Sequence, residues 1–462
     1  MAAVTHARDW RFWFCGLVVL LGLAMVLAGP ADWLAPHQWA AAALTLGAIA
    51  FWGTGALPEP VTAFLFMALA VIGVAPPEVT FSGFLSPAFW LVFAGMIFGI
   101  AVDRTGLGAR IALRLATLFG TRYAALVFGV VLSAGLLAFP MPSAMGRAVL
   151  VIPIVAALAK ASGYPEGSRG YEGLILAGAF GTFIAGFAVM PANLINLVLV
   201  GAAERVLDHH FLYGEWLWRF FPVMGLLRVA MVAGLVLLLY GDPPREGSAR
   251  PPLRGPARPA EWRLGLILLL AIIGWMTDTA HGLSPAWIAM LAGGICVLPW
   301  IGVMDGKDMS SLGLGPLLYV VGILGLGAVV AESGLGARVA EGLLSIGDLG
   351  ALGAVGSFVA VTATALVVAL GTTLPGAAAV MVPLSAQIAD AAGLALDTVL
   401  TAIMLGCATP LLPYQAAPMV VALQLGAVPL AVGTRFTLLI AAGTILFLLP
   451  LEILWLMIVG LL

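Results

Sequence analysis

Apolar residues in this chain run on in long blocks, and Gly, Pro and short charged clusters separate the blocks. About 20 consecutive apolar residues suffice for a helix to cross a bilayer. Blocks of that kind lie at 10–29, 38–56, 61–76 and 87–103, and again at 262–276, 284–302 and 316–331. Two longer runs are interrupted: 172–200 at Met190-Pro-Ala-Asn193, and 397–427 at Leu412-Pro-Tyr-Gln-Ala-Ala-Pro418. An amphipathic stretch at 201–217 leads into a span at 220–240, and a final span covers 433–460.

Two further pairs of apolar arms have Pro-bearing tips. Arms 122–138 and 148–160 flank Phe139-Pro-Met-Pro-Ser143, and arms 349–370 and 377–390 flank Thr372-Thr-Leu-Pro-Gly376. We read them as re-entrant hairpins (122–160 and 349–390), because irregular backbone at membrane depth is tolerated only inside protein or along a cavity. Stretches 106–120 and 334–346 carry charge on an apolar helix and read as interfacial helices. The fold class is therefore an all-α polytopic membrane protein with about 11 transmembrane helices plus two re-entrant hairpins. Residues 241–261, rich in Pro and Arg, read as a cytoplasmic linker between a first half, 1–240, and a second, 262–462.

The halves repeat each other. Gly106-Leu-Gly-Ala-Arg-Ile-Ala112 recurs as Gly334-Leu-Gly-Ala-Arg-Val-Ala340, and Leu150-Val-Ile-Pro153 is echoed by Val380-Met-Val-Pro383. The span count places the copies on opposite membrane faces, so the repeat is inverted. Inverted repeats with broken elements in matching positions are the signature of secondary transporters, with the binding site near the midplane where broken helix ends supply partial charges. The competing reading is a bare duplication with prolines that merely kink helices.

Composition removes other classes. Of 462 residues, 62% are hydrophobic and 9% charged, against about 25% charged in soluble domains, so most of the surface faces lipid. The net charge of −2 and the lack of a basic, aromatic-interleaved face give no sign of nucleic-acid binding. Cys15, Cys296 and Cys407 lie far apart in apolar runs and suggest neither disulfide nor metal site. No HExxH or paired-acid metal motif falls in a predicted span, which argues against a membrane-embedded enzyme. Basic residues crowd one side: Arg8, Arg11, Arg104, Arg110, Arg114, Arg122, Lys160, Arg169, Lys307, Arg435 and the linker arginines. That bias puts the N-terminus in the cytoplasm and the C-terminus outside, in a bacterial-type inner membrane.

Phe81-Ser-Gly-Phe-Leu-Ser-Pro-Ala-Phe-Trp90-Leu-Val-Phe-Ala-Gly95, running on to Thr105-Gly-Leu-Gly-Ala-Arg-Ile-Ala112, resembles the divalent anion–sodium symporter family, and the element order is similar across nearly the whole chain. The resemblance implies a small anionic substrate (a dicarboxylate, citrate or sulfate), a homodimer, and elevator-type alternating access by a transport domain holding the hairpins and broken helices. It also implies sodium as the coupling ion, with no other cofactor. That family carries Ser-Asn-Thr at each tip. By spacing to Pro153 and Pro383 the counterparts here are Ser143-Ala144-Met145 and Thr373-Leu374-Pro375, so both hydroxyls persist and both asparagines are gone. The implied ion ligands are Ser143, Ala144, Asn193, Thr373 and Thr409, with the lost asparagines weakening that set.

Arg147, one turn beyond Ser143, is the boldest candidate. A charge at membrane depth is a functional hypothesis by default. Its planar fork suits a carboxylate or sulfate, or it stands where the family places sodium, which would permit cation-free exchange. Its structural alternative is an ion pair or a snorkelling side chain. Asn193 matches the resembled family's broken-helix asparagine. Tyr414 and Gln415 between prolines, and Thr372 and Thr373 at the second tip, complete the substrate candidates, each with ordinary helix–helix hydrogen bonding as the alternative. His209 and His210 read as a solvated interface, Trp216 and Trp218 as an aromatic belt, and Arg228 as a scaffold or dimer pairing. An arsenite-type exporter of the wider superfamily stays open; its mostly neutral substrate would have no need of Arg147.

Overall fold

The computed structural model describes residues 9–28, 34–118, 122–242, 256–301, 303–338 and 349–462. Among them every regular element is helical, and nine helices are long and apolar enough to cross a membrane, with shorter apolar helices between them. The linker arginines Arg245, Arg250 and Arg254, and most of the second interfacial helix, lie outside the described residues.

The first half opens with α1 (Asp9–Ala28), α2 (Pro36–Thr54), α3 (Glu59–Gly73) and α4 (Pro87–Thr105). Proline stands in the first turn of α2, α3 and α4, where its missing N–H is one that a helix start leaves unpaired anyway. Gly106, at φ +79°, ends α4, and α5 (Leu107–Leu118) departs from it. Gly334, the repeat counterpart, has φ +68° and follows α13, so the repeated Gly-Leu-Gly-Ala-Arg motif marks the same left-handed turn in both halves.

The first hairpin is α6 (Tyr123–Leu136) and α7 (Ala144–Ala161), and the first broken helix is α8 (Arg169–Ile184) and α9 (Leu194–Leu207). The break between α8 and α9 is wider than Met190–Asn193: two 3-10 turns fill Ala185–Ala188 and Met190–Ala192. The helix α9 also takes in the first residues of the stretch read as amphipathic. Next, α10 (Tyr213–Tyr240) starts earlier than residue 220 and contains a π-helical segment, Phe221–Leu227.

The second half has α11 (Pro259–Met276), α12 (Pro285–Val297) and α13 (Gly315–Glu332). Its hairpin is α14 (Gly353–Gly371) and α15 (Leu374–Ala392), the latter with a 3-10 turn at Pro383. The second broken helix is α16 (Leu396–Cys407) and α17 (Ala417–Leu425), and α18 (Leu430–Ile458) closes the chain. With each broken helix counted once, each hairpin set aside and the short α5 taken as interfacial, this order among the described residues matches the expected eleven spans and two hairpins.

The halves interlock through their broken elements. Helix α9 packs on the second hairpin arm α15, and α17 packs on the first hairpin arm α7. Each hairpin tip also meets a glycine of an early helix. A Cβ at Gly95 of α4 would stand 3.0 Å from the Pro142 side chain, and one at Gly53 of α2 would stand 3.0 Å from the Gly371 carbonyl oxygen. Only a missing side chain lets those backbones approach so closely.

Polar bridges tie the element ends. Buried Arg110 of α5 binds Glu261 of α11 at 2.5 Å, and exposed Arg104 bridges Asp305 at 2.7 Å and Asp308. Arg219 of α10 holds Asp397 of α16 through a two-pronged contact at 2.8 and 2.6 Å, joined by His209 at 3.3 Å. Thus His209 packs against this ion pair. Trp216, expected in an aromatic belt, is fully buried and donates its indole N–H to the Phe187 carbonyl at 3.2 Å, while Trp218 is exposed.

Candidate functional site

A cavity of about 910 Å³ lies between the two hairpin tips and extends to the ends of α2, α3 and α13. The first tip contributes Pro142, Ser143, Ala144 and Met145, the first break Asn193, Leu194 and Ile195, and the second tip Thr373 and Pro375. From the second break come Tyr414, Gln415, Ala416, Ala417 and Pro418.

Four helix N-termini therefore face one space: those of α7, α9, α15 and α17. Each helix start leaves backbone N–H groups without intrahelical acceptors and carries a partial positive charge. Ser143 caps α7 by accepting the Gly146 N–H at 3.0 Å, and Thr373 caps α15 by accepting the Gly376 N–H at 3.3 Å. The two hydroxyls thus serve the helix starts first, and Thr373 Oγ1 lies 3.3 Å from the Tyr319 hydroxyl.

Asn193 is the exceptional side chain. It lines the cavity, is 3% exposed, and its Nδ2 has no hydrogen-bond partner. An unmade hydrogen bond at a buried amide costs about 1–3 kcal/mol. Nδ2 itself is shielded from the cavity, so a bound acceptor recovers that cost when the side chain turns toward it. Asn196, one turn on, does something else: its Nδ2 donates to the carbonyls of Gly186, Phe187 and Val189 at 2.9, 3.2 and 3.0 Å, holding the break open.

Arg147 is placed behind the tip, away from the cavity wall. It is fully buried, and four hydrogen bonds occupy its guanidinium: Nε and Nη2 reach the Thr182 carbonyl at 3.2 and 2.9 Å, Nη2 reaches Ala192 at 3.0 Å, and Nη1 reaches Met141. The charge therefore sits in a cage of carbonyls drawn from the hairpin tip and both sides of the break. Gly186 makes room for it, since a Cβ there would come within 2.6 Å of Nη2.

Other candidates separate. Thr372 and Thr409 turn their hydroxyls back onto their own helices, to Val368 and Leu405 carbonyls at 2.9 Å each, and neither lines the cavity. Gln415 lines it with most of its amide engaged: Nε2 donates one of its two N–H groups to Ala369 at 2.7 Å, and Oε1 accepts from Leu411 and Leu412 at 2.7 and 2.8 Å. Tyr414 donates to the Leu370 carbonyl at 2.8 Å and leaves its ring toward the space. Among the described residues Arg228 has no acidic partner; it is fully buried, donates from Nη1 to the Ala408 carbonyl at 2.8 Å, and lies over the Phe187 ring.

Sequence reasoning missed the far wall. Trp52 of α2, Val92 and Met96 of α4 and Tyr319 of α13 line the cavity from segments that read only as apolar spans. A tyrosine inside such a run was the one available signal. Among the described residues no group of three or more His, Cys, Asp or Glu side chains is arranged to hold a metal ion.

The chain matches the family model of the sodium:sulfate symporter transmembrane region over residues 9–462 and belongs to that family. It is 28% identical over 313 residues to a chloroplastic dicarboxylate transporter 2 of Spinacia oleracea, covering 63% of this chain and 54% of that protein. It is 26% identical over 305 residues to an L-tartrate/succinate antiporter of Escherichia coli, covering 58% and 61%. The match thus spans less than two thirds of the length of these curated relatives. A crystal structure of the Alcanivorax borkumensis YdaH transporter is similar over 98% of each chain, with a TM-score of 0.53 at 17% identity, a likeness of fold.

Proposed function

We propose that this member of the family is a secondary transporter of a small anion that works by exchange and without sodium. The observation that carries the anion is the convergence of four helix N-termini and the unpartnered Asn193 amide on one cavity. Partial positive charge fixed in the fold favours an anion with no reorganisation. A neutral solute, as in the arsenite-type alternative, would leave those donors with no charge to stabilise. Relatives named for dicarboxylate and tartrate/succinate transport support the same reading.

Sodium does not fit the residues present. A cation behind the first tip would face the fixed charge of Arg147, which already draws on the Met141, Thr182 and Ala192 carbonyls. In the second half, Ala369, Leu370 and Ala408 carbonyls are taken by Gln415, Tyr414 and Arg228. Arg147 acts as a tethered cation and a positioning residue: it holds the tip to the break and adds positive charge behind Ser143. With that charge built in, the unloaded carrier keeps a net positive site that favours return with another anion.

The movement we assign is elevator-like. The hairpins and broken helices shift against α2, α4 and α13, past the side-chain-free contacts at Gly53 and Gly95. The cavity reaches the ends of α2, α3 and α13, the face that the basic residues mark as cytoplasmic, so this is an inward-open form in our reading. The N-terminus is then inside, the C-terminus outside, and the membrane a bacterial-type inner membrane; a homodimer follows from the family resemblance.

The test is uptake of labelled succinate and sulfate by proteoliposomes, with and without a sodium gradient and with and without anion preloaded inside. Uptake should need the preloaded anion and ignore sodium. Sodium-driven uptake into empty vesicles would overturn the exchange reading, and no uptake of any anion would overturn the function itself.

A further inference from the structure

The two halves of the cavity differ in how many donors they offer. In the first half, the N–H of Gly146 is taken by Ser143 Oγ and that of Arg147 by the Ser143 carbonyl at 3.0 Å. Those of Ala144 and Met145, by position, have no acceptor within α7. The same holds for Leu194 and Ile195 at the start of α9, where the first intrahelical bond is Leu197 N–H to Asn193 at 3.3 Å. All four residues line the cavity beside Asn193.

In the second half, proline occupies the second helical position of both N-termini: Pro375 in α15 and Pro418 in α17. Proline has no N–H. The next N–H in each helix is already bound, Gly376 to Thr373 Oγ1 at 3.3 Å and Met419 to the Ala416 carbonyl at 3.0 Å. By position the N–H groups of Leu374 and Ala417 also lack an intrahelical acceptor, so this half keeps fewer such donors than the first. Around them it shows the cavity Pro375, Pro418 and the Tyr414 ring, with Leu370 beside them and Tyr319 opposite. Of the polar side chains there, Gln415 commits Oε1 and one of its two Nε2 N–H groups to backbone, and Thr373 Oγ1 caps α15. The charged residues on the cavity lining are Arg11 on α1 and Glu59 at the start of α3. Glu59 lies within electrostatic reach of Tyr319, whose hydroxyl is 3.3 Å from Thr373 of the second tip, and so adds no favourable charge for an anion there.

We propose that the site takes an organic anion with one carboxylate or sulfonate head, held at the first-half pole, and an apolar, ring-bearing body laid against the second-half pole. This rests on the anion-transport reading above and specifies its substrate class. A second carboxylate placed at the second pole would give up water for fewer donors than the first pole offers, set among two prolines and a tyrosine face, which is unfavourable. A ring meets those same surfaces by ordinary apolar contact, as in pockets that combine mostly apolar walls with a few convergent polar groups.

The experiment is exchange in proteoliposomes loaded with 3-phenylpropionate, with labelled 3-phenylpropionate, benzenesulfonate or succinate outside. Phenylpropionate and benzenesulfonate should exchange about tenfold or more faster than succinate, the size of discrimination that unpaired buried polar groups give. The double variant Pro375→Ala, Pro418→Ala restores two N–H groups and should raise the succinate-to-phenylpropionate ratio about tenfold. If that variant fails to fold, Tyr414→Ala should slow phenylpropionate more than succinate and so shift the ratio in the same direction. Succinate exchanged as fast as the ring-bearing anions, or a ratio unmoved by whichever of these variants folds, would overturn this inference while leaving anion transport intact. Exchange of none of these anions by the wild-type protein would remove both.

Discussion

The two hairpin-and-break units share a topology and differ in what holds them. In the first, a guanidinium does it: Arg147 gathers carbonyls from tip and break, and Asn196 stitches the break itself. In the second, neutral groups do it: Gln415 and Tyr414 donate to the Ala369 and Leu370 carbonyls near the hairpin tip. The second unit's arginine, Arg228, reaches in from α10, makes one hydrogen bond, and leaves Nε and Nη2 without partners. Duplication thus fixed the scaffold, while each copy solved separately the same problem, namely orphan carbonyls at a helix end inside a bilayer.

That contrast can be broken most sharply at the arginines. Replacing Arg147 by Met leaves three buried carbonyls short of donors and should cost on the order of 3 kcal/mol or more. Arg228→Met removes one bond and two unpaired donors, so its cost should be smaller by about 1–2 kcal/mol. Thermal unfolding of the two purified variants compares them directly; equal losses would mean that the first unit's cage has no special weight. Arg147→Met should also abolish anion exchange, whereas a variant that gained sodium dependence would show that a free cation can take the vacated cage.

A milder pressure on the same cage is Gly186→Ala, whose new methyl meets Arg147 Nη2 and should destabilise by about 1–3 kcal/mol. Asn193→Leu separates binding from stability. Its Nδ2 has no protein partner to lose, so the melting temperature should hold while the rate of exchange falls about tenfold or more. A parallel loss of both would make Asn193 structural.

The smallest effect belongs to the exposed end of α4. Asp305 is held below the usual carboxylate range by the backbone N–H of Asp308, against the opposing effect of desolvation, with Arg104 adding to the lowering. Its folded value lies under its unfolded one, so its stabilisation is present near neutrality and fades as the pH falls through the acid range. Arg104→Ala should narrow that acid dependence and barely move the midpoint at pH 7, because such exposed pairs are screened by water and salt.

Much of this molecule was legible in the chain. Apolar block length determined the helices and their number, because a bilayer demands about 20 apolar residues per crossing and satisfied backbone throughout. The Gly106 and Gly334 repeats determined matched left-handed turns, and the prolines determined where the helices break. Side-chain direction could not be read that way. Arg147 and Asn193 looked alike as polar intruders, yet one turns into a carbonyl cage and the other toward the cavity. Only packing separates them, since a buried donor goes wherever the nearest unsatisfied acceptor lies, and those acceptors come from segments as far as 45 residues away. The tertiary structure alone likewise set Trp52 and Tyr319 against the tips, because which face of an all-apolar helix meets protein and which meets lipid leaves no periodic trace in its sequence.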